Sequence, residues 1–330
     1  MNSPEIWRKI IAKALITPSP HNTQPWRVAL QSDGSAILLL DHARTLPDED
    51  TTGHFILAAM GMFIESLTLL AANHGWLLET HIIWKQKLNG GLTPFAHLKL
   101  RFSAEPSIYP DELFERRMTS RLPNQDKALE PQLINAINAI KPANGQNFLL
   151  MNDALQIDGI INRNISAMFE DLNHRPYQRE ISKWFRASAA ESLRTRDGLD
   201  YRCMNMPSIE VRLMRRLPQA MKWPLTRAAV HWMYRRQIGH IAQMGCIYGP
   251  FFRDDWAIDA GRYLMRFCLE AARGGAYLHP FGNLVTNTRA KAWVESYLGI
   301  KDIWLVFRIG YTRVPPRSLR RDLEEVLVNV

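Results

Sequence analysis

Two segments of the chain, two hundred residues apart, share one pattern of small residues, and this repeat constrains the fold more than any other feature. Residues 61–75, GMFIESLTLLAANHG, and residues 261–275, GRYLMRFCLEAARGG, both fit Gly-x9-Ala-Ala-x2-Gly. Each pattern lies in a predicted helix that glycine ends and that a strand follows. A duplicated α+β unit would explain the repeat, and the chain would then be a fused pseudo-dimer. Chance is the alternative, because alanine and glycine are common residues.

The remaining hydrophobic pattern predicts an α+β chain with hairpin strands flanked by helices. A first helix ends at Pro18, and further helices are predicted at 53–74, 111–118, 132–140, 154–170, 176–187, 254–273 and 287–298. Strands are predicted at 27–30, 36–41, 77–86, 96–103, 147–151 and 303–309. A turn-rich connector at 104–110 divides the chain into predicted halves, residues 1–108 and 109–330.

Composition and missing motifs exclude several classes of protein. The chain has 330 residues, 46% of them hydrophobic, which is enough to bury a sizeable core. The start MNSPEIWRKI does not look like a signal peptide, and no apolar run reaches the roughly 20 residues of a membrane span. The three cysteines lack CxxC spacing, which favours reduced thiols, a cytoplasmic location and no zinc site.

Hydrolase, nucleotide-loop and metalloprotease signatures are also missing from the sequence, so no metal ion is expected. The acidic run Asp48, Glu49 and Asp50 is interpreted as a solvated turn.

The decapeptide TPSPHNTQPW, residues 17–26, is a rigid polar loop placed directly after the first helix. Its three prolines fix the backbone, so the side chains between them are aimed in advance. Asn22 offers one acceptor and two donors, which suits the imide-like edge of a flavin or a pyrimidine. Ser19 and His21 add donors. The alternative is a plain capping loop, and in either case Trp26 is expected in the core.

Three further segments carry weaker signals for a ligand. In ERRMTSRLP, residues 115–123, Arg117, Thr119 and Arg121 alternate beside Arg116, so an extended chain would aim them at one phosphate. The tail PPRSLRRDL adds Arg320 and Arg321, which could instead pair with the acidic residues that follow. In HPFGN, Gly282 would allow a main-chain N–H to approach a planar ligand. A solvated basic turn and an ordinary turn are the alternatives.

Taken together and in this order, these segments resemble the FMN-dependent nitroreductase superfamily. The PS-x-x-N-x-QPW loop of that family matches Pro18, Ser19, Asn22, Gln24, Pro25 and Trp26. Its R-x-S/T-x-R phosphate motif matches Arg117, Thr119 and Arg121, and its closing pattern matches Leu298, Gly299, Gly310, Tyr311, Arg320, Arg321 and 323–326. The order departs from ordinary members, in which the phosphate motif comes first.

The resemblance implies a nitroreductase-like sandwich of mostly antiparallel sheets, built from two fused halves with one flavin site between them. The cofactor-binding residues would be Ser19, His21, Asn22, Gln24, Arg116, Arg117, Thr119, Arg121, Gly282, Arg320 and Arg321. It implies an oxidoreductase in which FMN takes electrons from NAD(P)H and passes them to a nitroaromatic or a quinone. No side chain is assigned as catalytic. The chain would be a monomer with an internal pseudo-dimer, or a homodimer.

The positive charge of the chain is concentrated in one segment. Residues 209–240 carry seven arginines and lysines against one glutamate. This segment, at about 200–245, is interpreted as a helical lid inserted over the flavin, and a membrane-surface or nucleic-acid arm is the alternative. Two other functions stay open: a flavoprotein that stores FMN with little turnover, and a basic surface-binding module without flavin.

Overall fold

The computed structural model describes residues 3–85, 91–103, 105–142, 144–216 and 223–328. The α-helices are α1 (Ser3–Ala14), α2 (His54–Asn73), α3 (Pro131–Asn138), α4 (Ala154–Asn173), α5 (Arg175–Trp184), α6 (Ala189–Thr195), α7 (Ser208–Arg216), α8 (Pro224–Ile238), α9 (Asp254–Arg273), α10 (Asn283–Thr286), α11 (Thr288–Leu298) and α12 (Leu323–Val326). The strands are β1 (Trp26–Leu30), β2 (Ala36–Asp41), β3 (Trp76–Ile82), β4 (Leu92–Phe102), β5 (Asn147–Met151), β6 (Phe185–Arg186), β7 (Leu199–Asp200), β8 (Met244–Tyr248), β9 (Tyr277–Pro280) and β10 (Ile303–Gly310).

Two antiparallel sheets of four strands have the same topology. The first sheet has the order β1-β2-β4-β3, and the second has the order β5-β8-β10-β9. In both, the first two strands precede a 20-residue helix, α2 or α9, and two strands follow it. The fold is therefore α+β, with antiparallel sheets flanked by helices. The short strands β6 and β7 form a separate parallel pair.

The helices α2 and α9 cross at their repeated glycines. A β-carbon at Gly61 would lie 2.0 Å from the carbonyl oxygen of Ile258, and one at Gly261 would lie 2.0 Å from that of Ala58. Gly61 and Gly261 are two hundred positions apart, and so are the residues they contact, Ala58 and Ile258. The two contacts are therefore reciprocal. Reciprocal contacts of this kind are typical of a two-fold interface.

Both helices lie in the main hydrophobic core. Helix α2 is long and apolar enough to cross a membrane by length and composition, but 83% of that stretch is buried inside the fold. Trp26 is fully buried and stacks on Phe63 with 4.5 Å between the ring centroids, as expected for a core residue.

A long insertion and a C-terminal arm complete the fold. The insertion, residues 152–243, lies between β5 and β8 and contains α4 to α8. The arm, residues 311–328, returns to the first sheet, where Leu327 pairs in parallel with Val28 of β1. Part of the predicted lid, residues 217–222, lies outside the described residues.

Most predicted elements are confirmed, and two interpretations are wrong. Residues 111–118 were expected to be helical, but only Asp111–Glu115 forms a short 3-10 turn, and the chain is extended beyond it. The acidic run 48–50 is not a solvated turn, because Asp50 is buried and the Glu49 side chain is only 12% exposed. Asp50 accepts a hydrogen bond from the Ile56 N–H at 2.8 Å at the start of α2.

Candidate functional site

The loop after α1 has an unusual backbone. His21, Asn22 and Gln24 have φ of 47°, 55° and 53°, in the left-handed region that residues other than glycine seldom adopt. Such conformations persist only where the surroundings hold them, and they concentrate at functional sites. The loop is thus a rigid feature whose side-chain directions are set by the fold.

Three of the predicted site residues, Ser19, Gln24 and Arg321, hold this loop in place. The Ser19 hydroxyl accepts a hydrogen bond from the Gln24 N–H at 3.0 Å. The Gln24 side chain donates to the Arg196 carbonyl at 2.9 Å and accepts from the Arg321 N–H at 2.9 Å. Arg321, which is 98% buried, donates in turn to the Gln24 and Trp26 carbonyls. Gln24 and Arg321 therefore connect the loop to the C-terminal arm.

Arg117 and Thr119 lie on an extended segment that adds to the edge of the second sheet. Thr119 pairs in parallel with Leu278 of β9, and the Ser120 N–H donates to the Leu278 carbonyl at 2.9 Å. Alternate side chains of an extended chain point the same way, and Arg117 and Thr119 both line one cavity, whereas Arg121, which the sequence analysis placed with them, does not.

A cavity of about 420 Å³ lies where this segment, the proline loop and the arm meet. Its lining includes Pro18, Arg116, Arg117, Thr119, Ser318 and Arg320. The loop and the arginine motif, a hundred residues apart in sequence, thus border one cleft. Of the loop residues 17–26, Pro18 is the one that lines the cavity.

The cavity wall carries more positive than negative charge, because Arg116, Arg117, Arg317 and Arg320 line it with one carboxylate, Glu115, which pairs with Lys13 at 3.2 Å. Arg117 uses its Nε to donate to the Thr119 carbonyl at 2.7 Å and one terminal nitrogen to contact Cys203 and the Pro316 carbonyl. Its other terminal nitrogen has no partner among the described residues. Burial, together with the Arg117 and Arg317 guanidiniums, lowers the pKa of Arg320 to about 9. An anion in this cavity would relieve that repulsion.

Arg121, the third member of the motif, does not line this cavity. Its guanidinium lies within electrostatic range of His21, Glu49 and His279, and it donates a hydrogen bond to none of the described residues. Burial lowers the pKa of Arg121, and Arg117 adds to that effect. Arg121 is half-buried, and a guanidinium that lacks a protein acceptor there favours a negatively charged or acceptor-rich ligand.

A second buried cluster, which the sequence analysis missed, surrounds Arg121. Nε2 of His21 is hydrogen-bonded to the Glu49 carboxyl group. Burial and the nearby Glu180 and Asp171 carboxylates raise the pKa of Glu49 to about 8, and burial with Arg121 lowers that of His21 to about 3. Both shifts favour the uncharged forms of the two partners, so burial opposes a full ion pair between them.

Several polar atoms beside this cluster have no partner. Asn22 donates to the Leu319 carbonyl at 3.0 Å, but its buried Oδ1 accepts nothing, and Nδ1 of His21 is also unpaired. Gly282 precedes α10 with an ordinary right-handed conformation, so its backbone does not require glycine. A β-carbon there would only reach ordinary contact with Glu49, 3.6 Å away.

The insertion covers this side of the site. Tyr177 of α5 and Tyr234 of α8 lie within electrostatic range of Arg121, and Glu180 of α5 accepts hydrogen bonds from the Asp48 and Glu49 N–H groups. No local pattern marks Tyr177, Glu180 or Tyr234, because they reach the site only through the tertiary fold. The sequence does carry a signal for Ser318, which lies between Arg317 and Arg320 in the tail PPRSLRRDL. Within the described ranges, no group of three or more His, Cys, Asp or Glu could hold a metal ion.

No protein-family model matches the chain, and no curated protein does. Solved structures that resemble it are nitroreductases. The FMN-dependent nitroreductase NfnB from Mycobacterium smegmatis, determined with NADPH, is 14% identical over 65% of this chain and 95% of its own, with a TM-score of 0.40. A nitroreductase-like family protein from Bacillus cereus is 13% identical over 66% of this chain and 94% of its own, with a TM-score of 0.39.

A third structure, of a putative nitroreductase from Anabaena variabilis, covers a larger share of the chain. It is 12% identical over 84% of this chain and 69% of its own, with a TM-score of 0.36. At these identities the likeness concerns the fold alone, and it does not extend to a ligand or a reaction.

Proposed function

We propose that this chain is an FMN-binding oxidoreductase that passes electrons from NAD(P)H to a nitroaromatic or a quinone. The observation that carries the proposal is the cavity between the proline loop, the arginine motif and the C-terminal arm. Its wall combines guanidinium donors that lack carboxylate partners with the hydroxyl groups of Thr119 and Ser318. This donor set suits a phosphate monoester, which accepts several charge-assisted hydrogen bonds at once.

The residues present fit the two ends of FMN. Arg117, Thr119, Ser318 and Arg320 would hold the phosphate in the cavity. The unpaired Oδ1 of Asn22 would accept from the imide-like edge of the ring, and the Gly282 N–H would donate to it. Arg116 borders the cavity with an exposed side chain and would add long-range attraction.

Arg121 would act at the ring rather than at the phosphate, since it lies beside His21 and Glu49 and away from the cavity lining. When bound, the flavin supplies the hydride and electron chemistry, and the protein supplies binding, orientation and charge. A fixed positive charge in a buried site stabilises negative charge that develops beside it. No side chain is assigned as a catalytic residue.

The site also fits the proposal that the chain is a duplicated pseudo-dimer. The proline loop belongs to the first half, residues 1–108, while the arginine motif, Gly282 and the arm belong to the second, residues 109–330. The equal sheet topologies and the reciprocal glycine contacts of α2 and α9 support two related halves. The flavin would then be held at an internal interface, in a chain that is a monomer or a homodimer.

A comparison of FMN with riboflavin tests the phosphate site directly. We expect the wild-type protein to bind FMN more tightly than riboflavin, measured by quenching of flavin fluorescence. Arg117→Ala should weaken FMN binding by about tenfold to a hundredfold, since one charge-assisted contact is lost, and leave riboflavin binding unchanged. Arg313→Ala is the control, because Arg313 is exposed on the same arm. The proposal would be overturned if the wild-type protein bound FMN and riboflavin with equal affinity, or if it bound neither flavin.

A flavin store with little turnover is the second candidate, and the cover of α5 and α8 over the Arg121 side of the site favours it. Oxidation of NADH or NADPH by the FMN-loaded protein, with menadione or nitrofurazone as acceptor, separates the two. Turnover supports the oxidoreductase; flavin binding without turnover supports the store. A basic module without flavin would bind neither flavin in the preceding experiment.

A further inference from the structure

Helix α8 is apolar on a face that it turns to solvent. Leu225, Ala228, Ala229 and Trp232 follow the spacing of one helical face, and all four are exposed, Leu225 by 87% and Trp232 by 60%. The opposite face packs on α4, where the Tyr234 hydroxyl accepts a hydrogen bond from Asn164 at 3.0 Å. The exposed stripe is therefore not the buried face of an ordinary amphipathic helix.

Helix α7 repeats this arrangement on a smaller scale. Ile209 and Leu213, one helical turn apart, are 60% and 49% exposed, while Val211 of the same helix is fully buried. The Gln237 side chain donates to Glu210 at 3.1 Å, which places the end of α8 beside the start of α7. Trp223, just before α8, is 69% exposed as well. Exposed patches of large apolar residues on a soluble fold commonly mark a binding surface.

Arginines flank both apolar stripes. Arg212 and Arg216 of α7 and Arg236 of α8 are exposed, and none of the three forms an ion pair with a described carboxylate. Arg236 stacks over Trp232, with 5.3 Å between the guanidinium carbon and the ring centroid. Tryptophan, leucine and arginine together are the composition of helices that lie in the boundary between lipid headgroups and acyl chains.

We propose that this surface, formed by the exposed faces of α7 and α8, docks on an anionic lipid membrane. Lipid acyl chains would take up Leu225, Trp232, Ile209 and Leu213, and anionic headgroups would pair with the arginines. A second copy of the chain fits less well, because a two-fold contact would set the arginines of one copy against those of the other. Nucleic acid would satisfy the arginines but leave the aliphatic side chains in water. The proposal does not depend on the flavin site.

Co-sedimentation of the full-length protein with vesicles tests this surface. We expect binding to vesicles of phosphatidylcholine with a quarter phosphatidylglycerol, and little binding to vesicles of phosphatidylcholine alone. Leu225→Ser with Trp232→Ser should reduce the partition coefficient at least tenfold. Arg212→Glu, Arg216→Glu and Arg236→Glu together should do the same, and binding of the wild-type protein should fall with salt.

Matched control variants distinguish binding through this surface from nonspecific hydrophobic adsorption and from an effect of net charge. Phe102→Ser removes an aromatic ring that is 82% exposed on β4, and Lys9→Glu, Lys141→Glu and Lys301→Glu change the net charge as much as the arginine triple variant does. Both controls should bind like the wild-type protein. The proposal is overturned if the wild-type protein does not bind anionic vesicles, or if the control variants lose vesicle binding as much as the test variants do. It is also overturned if the arginine triple variant still binds vesicles and loses only the binding of duplex DNA, measured as a gel shift.

Discussion

The His21–Glu49 pair contains a residue, Glu49, whose burial the sequence does not indicate. Glu49 lies on the chain between two other acids, which normally indicates a solvated turn. The insertion buries it, and the Glu180 and Asp171 carboxylates add to that burial in raising its pKa to about 8. The same carboxyl group contacts His21 of the proline loop, so its protonation state is tied to the loop that would hold the flavin.

This pair leads to a prediction about stability and pH. A carboxyl group with a raised pKa in the folded state contributes stability that is complete below its unfolded pKa near 4.5 and lost as pH rises through about 8. We expect the free energy of unfolding to fall by about 2 kcal/mol between pH 6 and pH 9. Glu49→Gln should largely remove this slope, as followed by urea unfolding at each pH.

Two neighbouring titrations fall outside that window. The pKa of Asp50 is raised to about 6, so most of its effect lies at lower pH, and the lowered pKa of His21 affects stability only below its unfolded pKa near 6.5. Glu112→Gln, an exposed glutamate, is the control and should keep the wild-type slope. A Glu49→Gln variant with that same slope would show that Glu49 is ionised near pH 7.

How much of the site the sequence could predict depends on the kind of residue. Asn22, Arg117 and Thr119 lie in short segments with local composition signals, and the structure brings those segments to one cleft. Glu49, Tyr177 and Tyr234 carry no such signal, because burial and like-charge neighbours arise only when α5 and α8 fold over the loop. The hydrogen bond between Gln24 and Arg321 could not be predicted either, because the two residues are 297 positions apart in the chain and meet only in the folded structure.

At the scale of elements, the repeated helices were predicted almost to the residue, while the arginine motif was not. Helix α9 begins and ends where the sequence placed it, because its apolar face and its terminal glycines are local features. Residues 111–118 also have helical composition, but beyond Glu115 the chain instead pairs with β9, and a long-range strand contact overrides local preference.

The crossing of α2 and α9 gives a prediction at this scale. Gly61→Ala and Gly261→Ala should each lower the free energy of unfolding by about 2 kcal/mol or more, because the new methyl group would meet a backbone carbonyl at 2.0 Å. Gly159→Ala in α4 is the matched control, since only the Tyr297 hydroxyl lies within 3 Å there and a side chain can move.

The control variant should be neutral or more stable, as alanine favours a helix over glycine. Thermal unfolding monitored by circular dichroism is a sufficient measurement for all three variants. If Gly61→Ala and Gly261→Ala were as stable as the control variant, the two helices would not be held at this distance. The reciprocal contact would then no longer support the proposal of two related halves.

At the scale of the whole molecule, the C-terminal arm connects the two sheets through the site. It leaves β10 in the second sheet, borders the cavity with Ser318 and Arg320, and ends by pairing with β1 of the first sheet. Arg320 donates to the carbonyl of Ile16, two residues beyond the end of α1, at 2.9 Å. One stretch of chain therefore both lines the cavity and joins the second sheet to the first.

A substitution of Arg321 tests how the arm is attached to the first sheet. The buried charge of this side chain lowers stability, while its hydrogen bonds raise it. It is 98% buried, and burial together with Arg44 and Arg27 lowers its pKa to about 9, so replacing it by an apolar residue removes a costly buried charge. Its guanidinium, however, donates to the Gln24 carbonyl at 2.6 Å and the Trp26 carbonyl at 2.8 Å. Two buried carbonyls left without donors outweigh the relief of one charge.

We therefore expect Arg321→Met to lower the free energy of unfolding by about 2 kcal/mol and to loosen the arm from the first sheet. Loosening should appear as faster hydrogen exchange of the Val328 N–H, which donates to the Val28 carbonyl at 3.0 Å. Arg313→Met, on the exposed part of the same arm, should leave both quantities unchanged. Unchanged exchange at Val328 in Arg321→Met would mean that strand pairing with β1, and not the buried arginine, holds the arm across the two halves.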